Sequence, residues 1–298
     1  MVNANKDKGT KVSVCMPVYN DECFIGEAID SLLAQTFADF ELVISDNAST
    51  DATPEIYKKY AKNDRRIRYI RLPENKGVIY NINFLFQESG FEYFMLASAN
   101  DIWDKRYIEA LVSELRADSN AILCSSNVKS IDVGGNFLAN HFLERIYPSI
   151  PWQKARLSFF EYPISNVFFS VYGIYKRSIL KRTGLLRGIT RKQILTSCEV
   201  PFLAKLSTMG RIIAIPEFLM SYRRHPNSVY HSEITRLRRV DYVFLRYNVR
   251  LKLISICLKS NLSSNEKAEI LGKIFGSWIS PRRVFSAVRR KIANLRLF

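Results

Sequence analysis

Four short apolar runs in the first third of the chain each close on a small polar cluster, and a helical pattern follows every one. Val12–Met16 runs into Pro17-Val18-Tyr19-Asn20, and Phe40–Ser45 into Asp46-Asn47-Ala48-Ser49-Thr50-Asp51. Ile67–Leu72 runs into Pro73-Glu74-Asn75-Lys76-Gly77, and Tyr93–Ala97 into Ser98-Ala99-Asn100-Asp101. Strand, polar loop and helix in repetition build a parallel sheet whose loops gather at one end. Ligands of such open sheets sit just beyond the carboxyl ends of the strands. The pattern therefore predicts an α/β fold that brings two carboxylates, several amides and a tyrosine into one crevice.

The intervening segments have helical spacing. Glu22–Gln35 places Ile25, Ile29, Leu32 and Leu33 on one face. Ser49 or Thr50 can cap a helix over Pro54–Lys62, with its proline in the first turn. Gly77–Glu88 and Asp104–Arg116 are the next two helices, with Asp104 as a cap for the second, and Ala121–Ser125 reads as a fifth strand. Gly134-Gly135 marks a turn, in the manner of a hairpin. Tyr147–Pro163, with three prolines and an exposed Trp152, reads as a mobile loop containing short helical pieces. Val167–Tyr175 reads as a buried strand, Ser197–Thr208 as a helix, and Arg211–Ile215 as a strand that ends at Pro216-Glu217. Phe218–Tyr222 then leads into Arg223-Arg224-His225-Pro226.

Composition shifts near Ser232. Thr235–Lys259 can form one long helix in which Val240, Phe244, Val249, Leu253 and Ile256 alternate with seven arginines and lysines. A second basic cluster, Arg282 to Arg296, follows. The reading is thus a disordered N-terminus over 1–11, an α/β domain over 12–231 and a basic helical region over 232–298.

A hydrophobic content of 47% excludes wholesale disorder, and a formal charge of +16 calls for an anionic partner. Five cysteines without a C-x-x-C pair suit a reducing compartment. The polar Met1–Lys11 shows no signal peptide, and no apolar run is long enough to span a bilayer. The expected location is cytoplasmic, with peripheral attachment to the inner face of the cell membrane. Glycine-rich phosphate loops, a G-x-S-x-G elbow and zinc spacing around His141, His225 or His231 are all missing. No nucleic-acid-binding motif accompanies the charge, so nucleic acid is not an expected partner. Carboxylates, amides and cations remain, a set suited to the departure of a cation-bound diphosphate.

Val14-Cys15-Met16-Pro17-Val18-Tyr19-Asn20 followed by Ser45-Asp46-Asn47-Ala48-Ser49-Thr50-Asp51 resembles the N-terminal half of family 2 glycosyltransferases of GT-A fold. The likeness covers residues 12 to about 230. It implies a Rossmann-like, mostly parallel sheet flanked by helices, and an inverting transfer from a nucleotide-diphosphate sugar such as a UDP-sugar. By this resemblance Asp46 accepts a hydrogen bond from the base, and Pro17, Val18, Tyr19 and Asn20 line the same pocket. Asn75, Gly77, Ser98, Ala99 and Asn100 complete the nucleotide site. Ser98-Ala99-Asn100 stands where the family carries Asp-x-Asp, which implies a divalent cation, Mg²⁺ or Mn²⁺, at Asn100 and Asp101 and puts metal dependence in question. Glu199 matches the catalytic base. Arg223, Arg224 and His225 match a basic segment that meets the diphosphate. The implied acceptor is a saccharide or lipid-linked hydroxyl in surface polysaccharide, lipopolysaccharide or capsule synthesis, and the basic C-terminal helices suit an anionic membrane surface. The rival expectation is a non-catalytic nucleotide-sugar binder with a degenerate metal motif.

Overall fold

The computed structural model describes residues 11–161, 166–184, 195–226 and 239–278. Its first strand, β1 (Val12–Val18), is buried at every residue except the half-buried Pro17, as suits an apolar, β-branched run at the centre of a sheet. β2 (Phe40–Asp46) pairs parallel on one side, with β3 (Ile67–Arg71) parallel beyond it. β4 (Tyr93–Leu96) pairs parallel with β1 on the other side. The crossovers carry α1 (Ile25–Leu33), α2 (Thr53–Asn63) and α3 (Val78–Glu88). Ile25, Ala28, Ile29 and Leu32 form the buried face of α1, the helical spacing visible in the sequence.

The chain steps outward from β1 to β2 and β3, then returns to β4, so β1 is the switch point where a crevice opens. β4 accompanies β1 only as far as Cys15, whose carbonyl accepts the Ala97 N–H at 2.9 Å. The Val18 carbonyl, by contrast, accepts from Asn47 on the β2 side. Pro17 lies two residues after Cys15 and turns its nitrogen the same way, toward a side where pairing has ended. A proline is tolerated there because no partner needs its missing N–H.

The second half is mixed. β5 (Ile102–Trp103), α4 (Tyr107–Ala117), β6 (Ala121–Ile131), β7 (Phe137–His141) and α5 (Trp152–Leu157) come first. β8 (Ile174–Lys176), α6 (Arg177–Thr183), α7 (Leu195–Ser207) and β9 (Arg211–Arg223) follow. The sheet order is β3-β2-β1-β4-β8-β6-β9-β5, with β7 forming a hairpin on β6. Gly135, at φ 83°, makes that hairpin's turn.

Several local expectations change here. The fifth run continues to Ile131, and a short strand, β5, precedes the fourth helix. Val167–Tyr175 is not a strand: three-ten turns span Asn166–Tyr172, and only Ile174–Lys176 joins the sheet. Gly173 makes the transition, because a Cβ there would stand 2.3 Å from the Cys124 carbonyl oxygen. Arg211–Ile215 and Phe218–Tyr222 are one strand whose register on β6 slips where Pro216-Glu217 intervenes. The described part of Tyr147–Pro163 is packed, with Ala155, Phe159 and Phe160 buried and Trp152 half-buried against Phe159. Asn127 anchors the start of this segment through the Tyr147 hydroxyl, 2.7 Å from its Nδ2, while also accepting the Leu143 N–H at 2.8 Å and donating to the Pro216 carbonyl at 3.0 Å.

α8 (Arg239–Lys259) and α9 (Ser264–Trp278) close the described chain. Leu245, Val249, Leu253, Cys257, Ile270 and Ile274 bury into the same core as the sheet. Arg156 pairs with Glu266 at 2.5 Å and Lys273 with Glu161 at 2.9 Å, fastening the helices to the body. Residues 1–10, 235–238 and the basic cluster beyond 278 lie outside the described residues. Among the described residues, no helix is long and apolar enough to cross a membrane.

Candidate functional site

The loops after β1, β2 and β3 interlock. Asn20 has φ 55° and Ala48 has φ 61°, unusual for residues with a Cβ, and the cost of order 1 kcal/mol each is offset by hydrogen bonds on both flanks. The Asn20 N–H donates to Ser49 Oγ at 2.9 Å, and its Oδ1 accepts the Thr50 N–H at 2.8 Å. The Asp21 N–H donates to Thr53 Oγ1 at 3.0 Å. Tyr19 remains 44% exposed, with its ring free to meet a ligand. Burial, reinforced by nearby Asp51, pushes the Asp21 carboxyl up to about 6.

Asp46 differs from the expectation of base binding. It is fully buried, and both its oxygens are engaged inside the protein. Oδ1 accepts the Ser49 N–H at 2.9 Å, while Oδ2 accepts the Tyr57 hydroxyl at 2.9 Å and lies 3.4 Å from Arg71. The Tyr57 hydroxyl also meets that of Tyr69. The next residue, Asn47, points to the opposite side by strand alternation. Its Nδ2 donates to Asn75 Oδ1 at 2.9 Å, and its Oδ1 accepts the Lys76 N–H at 2.9 Å. Asn75 Oδ1 also accepts the Gly77 N–H at 2.9 Å. Gly77 then starts α3 at φ 83°, where a glycine is favoured. The sequence reading passed over Asn47; the side-by-side Asp46-Asn47 pair was the available signal, because only one of two adjacent strand residues can face the crevice.

Across the crevice lie Ser98 to Asp101. The Ser98 hydroxyl donates to Asn100 Oδ1, and Asn100 Nδ2 lies 2.7 Å from His225 Nε2. Burial, and then the neighbouring Arg223 charge, hold the His225 imidazole below its ordinary value, so the neutral ring accepts from the amide. Its ring also sits 5.2 Å from that of Phe24. Asp101 is fully buried, and its Oδ1 accepts the Arg223 N–H at 2.8 Å. Its Oδ2 is buried with no hydrogen-bond partner. Desolvation pushes this carboxyl up to about 7, against smaller opposing contributions from Arg223 and Ser98.

Arg223 also differs from the expectation of a fork held open for phosphate. It is 1% exposed. Nε donates to the Asn100 carbonyl at 3.0 Å, Nη1 to the Val133 carbonyl at 3.0 Å, and Nη2 to Glu27 at 2.6 Å. The guanidinium also lies 4.7 Å from the centre of the Phe24 ring. Arg224 is exposed and turns toward His141, 3.5 Å away. Of the three basic candidates, Arg223 and His225 contact the Ser98–Asp101 loop through their side chains, Arg223 at the Asn100 carbonyl and His225 at the Asn100 amide.

Glu199 is 5% exposed on α7. Glu199 and Asp101 both raise the Tyr172 hydroxyl, whose value lies well above the ordinary range chiefly through burial. Tyr172 stands in a stretch that reads in the sequence as an apolar core strand.

The arrangement suits an anionic leaving group more than a built metal centre. Among the described residues, no three His, Cys, Asp or Glu side chains converge. One carboxylate oxygen without a partner, one amide oxygen and one neutral imidazole can still hold a cation.

The model of glycosyl transferase family 2 matches residues 13–184, and the chain belongs to that family. It is a nucleotide-sugar-dependent glycosyltransferase with a GT-A fold. An uncharacterized glycosyltransferase of Haemophilus influenzae is 25% identical over 82% of this chain and 77% of its own. The putative teichuronic acid biosynthesis glycosyltransferase TuaG of Bacillus subtilis is 34% identical over 33% of this chain, which spans 39% of that relative. A crystal structure of S. aureus TarS 1-349 in complex with UDP superimposes with a TM-score of 0.67 at 19% identity, covering 89% of this chain and 71% of that one. The mannosyltransferase PcManGT from Pyrobaculum calidifontis, in complex with GDP-Man and Mn²⁺, gives 0.55 at 16% identity, covering 93% and 83%. At these identities the two structures establish the fold.

Proposed function

We propose that this glycosyltransferase is an inverting, hexosyltransferase-type enzyme acting on a UDP-sugar in surface polysaccharide synthesis. The base lies by Tyr19, Asn47 and Asn75, and the diphosphate lies by Asn100 and His225. The Glu199 carboxylate takes the proton from an acceptor hydroxyl while that oxygen bonds to the anomeric carbon. The bond from that carbon to the diphosphate oxygen breaks, and its electron pair leaves with the diphosphate. A divalent cation would be held by Asn100 and Asp101, with His225 beside them, and would neutralise leaving-group charge. The acceptor is a saccharide or lipid-linked hydroxyl, as in lipopolysaccharide or capsule assembly, entering from the Trp152 side at the cytoplasmic face of a membrane.

The observation that supports this reading is the contact between Asn100 and His225 at 2.7 Å, which joins the loop after β4 to the residues that follow β9 at the crevice. A donor-turnover assay over several nucleotide sugars, with and without Mn²⁺, tests it, and NMR of the product anomer reads the stereochemistry. Retention would overturn the single displacement. A second reading, a binder without turnover, is favoured by Ser98-Ala99-Asn100. It predicts saturable nucleotide binding and no release of diphosphate under any of these conditions.

A further inference from the structure

α8 is apolar on two faces. One face is buried in the core through Leu245, Val249 and Leu253. The other leaves Phe244 62%, Leu251 42% and Leu258 55% exposed, one residue every seven positions, with exposed Tyr247 between the first two. A row spaced by sevens stays on one side of a helix. Beside this row, α8 borders a cavity of about 400 Å³ against α6 and α7. Lys205, Lys252 and Lys259 line the cavity together with the hydroxyl-bearing Thr208, Ser255 and Ser260. No aspartate or glutamate lines it, and none of the three lysines has a carboxylate within ion-pair distance among the described residues. Lys205 Nζ donates to the Thr183 carbonyl at 2.5 Å, which fixes one ammonium at the cavity wall.

We propose that this face of α8 docks on an anionic lipid bilayer, with the Lys205–Lys252–Lys259 cavity receiving a phospholipid headgroup phosphate and Phe244, Leu251 and Leu258 entering the interface. Three ammonium groups without counter-charges among the described residues, beside an apolar row, form the pattern that binds anionic membrane surfaces. Spacing by sevens also suits a helix of a second copy, but the charge argues against it. The exposed cations beside the row are Lys252 and Lys259, and Asp241 is the single acid of α8, so self-pairing leaves like charge facing like. The inference deepens the membrane-face part of the proposed function and is independent of the transfer chemistry.

The test is co-sedimentation of the full chain with phosphatidylcholine vesicles, and with vesicles in which roughly a third of the lipid is phosphatidylglycerol. The chain is expected to sediment with the anionic vesicles only. Lys252→Gln with Lys259→Gln should lower the partition by roughly fivefold per lysine. Phe244→Ser with Leu251→Ser should remove the part of the binding that survives high salt. All four residues are exposed, and circular dichroism checks that each variant is folded. A lysine variant that partitions like the parent overturns the cavity assignment, even if basic residues elsewhere still bind lipid. Displacement by inorganic phosphate at equal concentration would show a soluble-anion site instead. A parent dimer dissociated by Leu251→Ser would assign the row to a second copy. Donor turnover in vesicle-free buffer should be unchanged in both variants, so loss of the transfer reading leaves this result standing, and the reverse holds too.

Discussion

The two flanks of the crevice are built by different means. On the β1–β3 flank, polar groups pair with residues that are close by in the sequence or one crossover away: Asp46 with Ser49 and Tyr57, Asn20 with Ser49 and Thr50, Asn47 with Asn75. On the β4–β9 flank, Asn100 meets His225 across 125 positions, and Arg223 reaches Glu27 across 196. The first flank is a closed network. The second keeps a buried carboxylate oxygen without a partner and is held in place by one arginine. A closed network suits a nucleotide base, whose shape is fixed. An under-satisfied site suits a phosphate or cation that arrives with its own charge.

Four measurements break or sharpen that contrast. The largest effect is expected from Glu199→Gln, which keeps shape and removes the proposed base. Turnover should fall by roughly 100- to 10,000-fold, while nucleotide affinity measured by calorimetry stays near that of the parent. Equal loss of both would mean that Glu199 is structural.

Arg223→Met should come next. Glu27 is 58% exposed, so the ion pair itself contributes little. The cost arises from the Asn100 and Val133 carbonyls left without donors, and is expected to be about 3 kcal/mol in urea unfolding. Arg223→Lys should recover only part of it, because an ammonium cannot span the fork. On the closed flank, Tyr57→Phe removes the hydroxyl that donates to buried Asp46 and should cost about 2 kcal/mol. If Tyr57→Phe proved the more damaging of the two, the contrast would be reversed.

The smallest effect concerns pH. The Asp21 carboxyl, raised to about 6 by burial, favours folding while it is protonated. Its contribution is complete below the unfolded value of 3.8 and is lost as pH rises to about 6. Asp21→Asn should flatten that decline, read as the difference in unfolding free energy between about pH 4 and about pH 7. A decline as steep as the parent's would place the titrating group elsewhere.

The closed flank was also the legible one. The β1–β4 runs, their loops and the α1 spacing could be read because apolar period and turn chemistry are local properties. The orientation of Asp46 could not, because it depends on Tyr57 arriving from α2 and Tyr69 from β3. Arg223 read as a diphosphate-facing cation because nothing near it in sequence announces its burial. Tyr172 was hidden in an apolar stretch that Gly173 bends out of the strand. The Tyr147 segment read as loose because proline content suggests irregular backbone and says nothing of how Phe159 and Phe160 pack.

The position of β9 has a consequence for the order in which the enzyme is completed. Arg223 stands at its last residue and contacts α1, the Asn100 loop and the β6–β7 hairpin at once. The partners within the β1–β3 flank are all present in the chain before the second half is translated. The β4–β9 flank waits for residue 223. A nascent chain halted before that point would lack the arginine that ties α1, the Asn100 loop and the β6–β7 hairpin together.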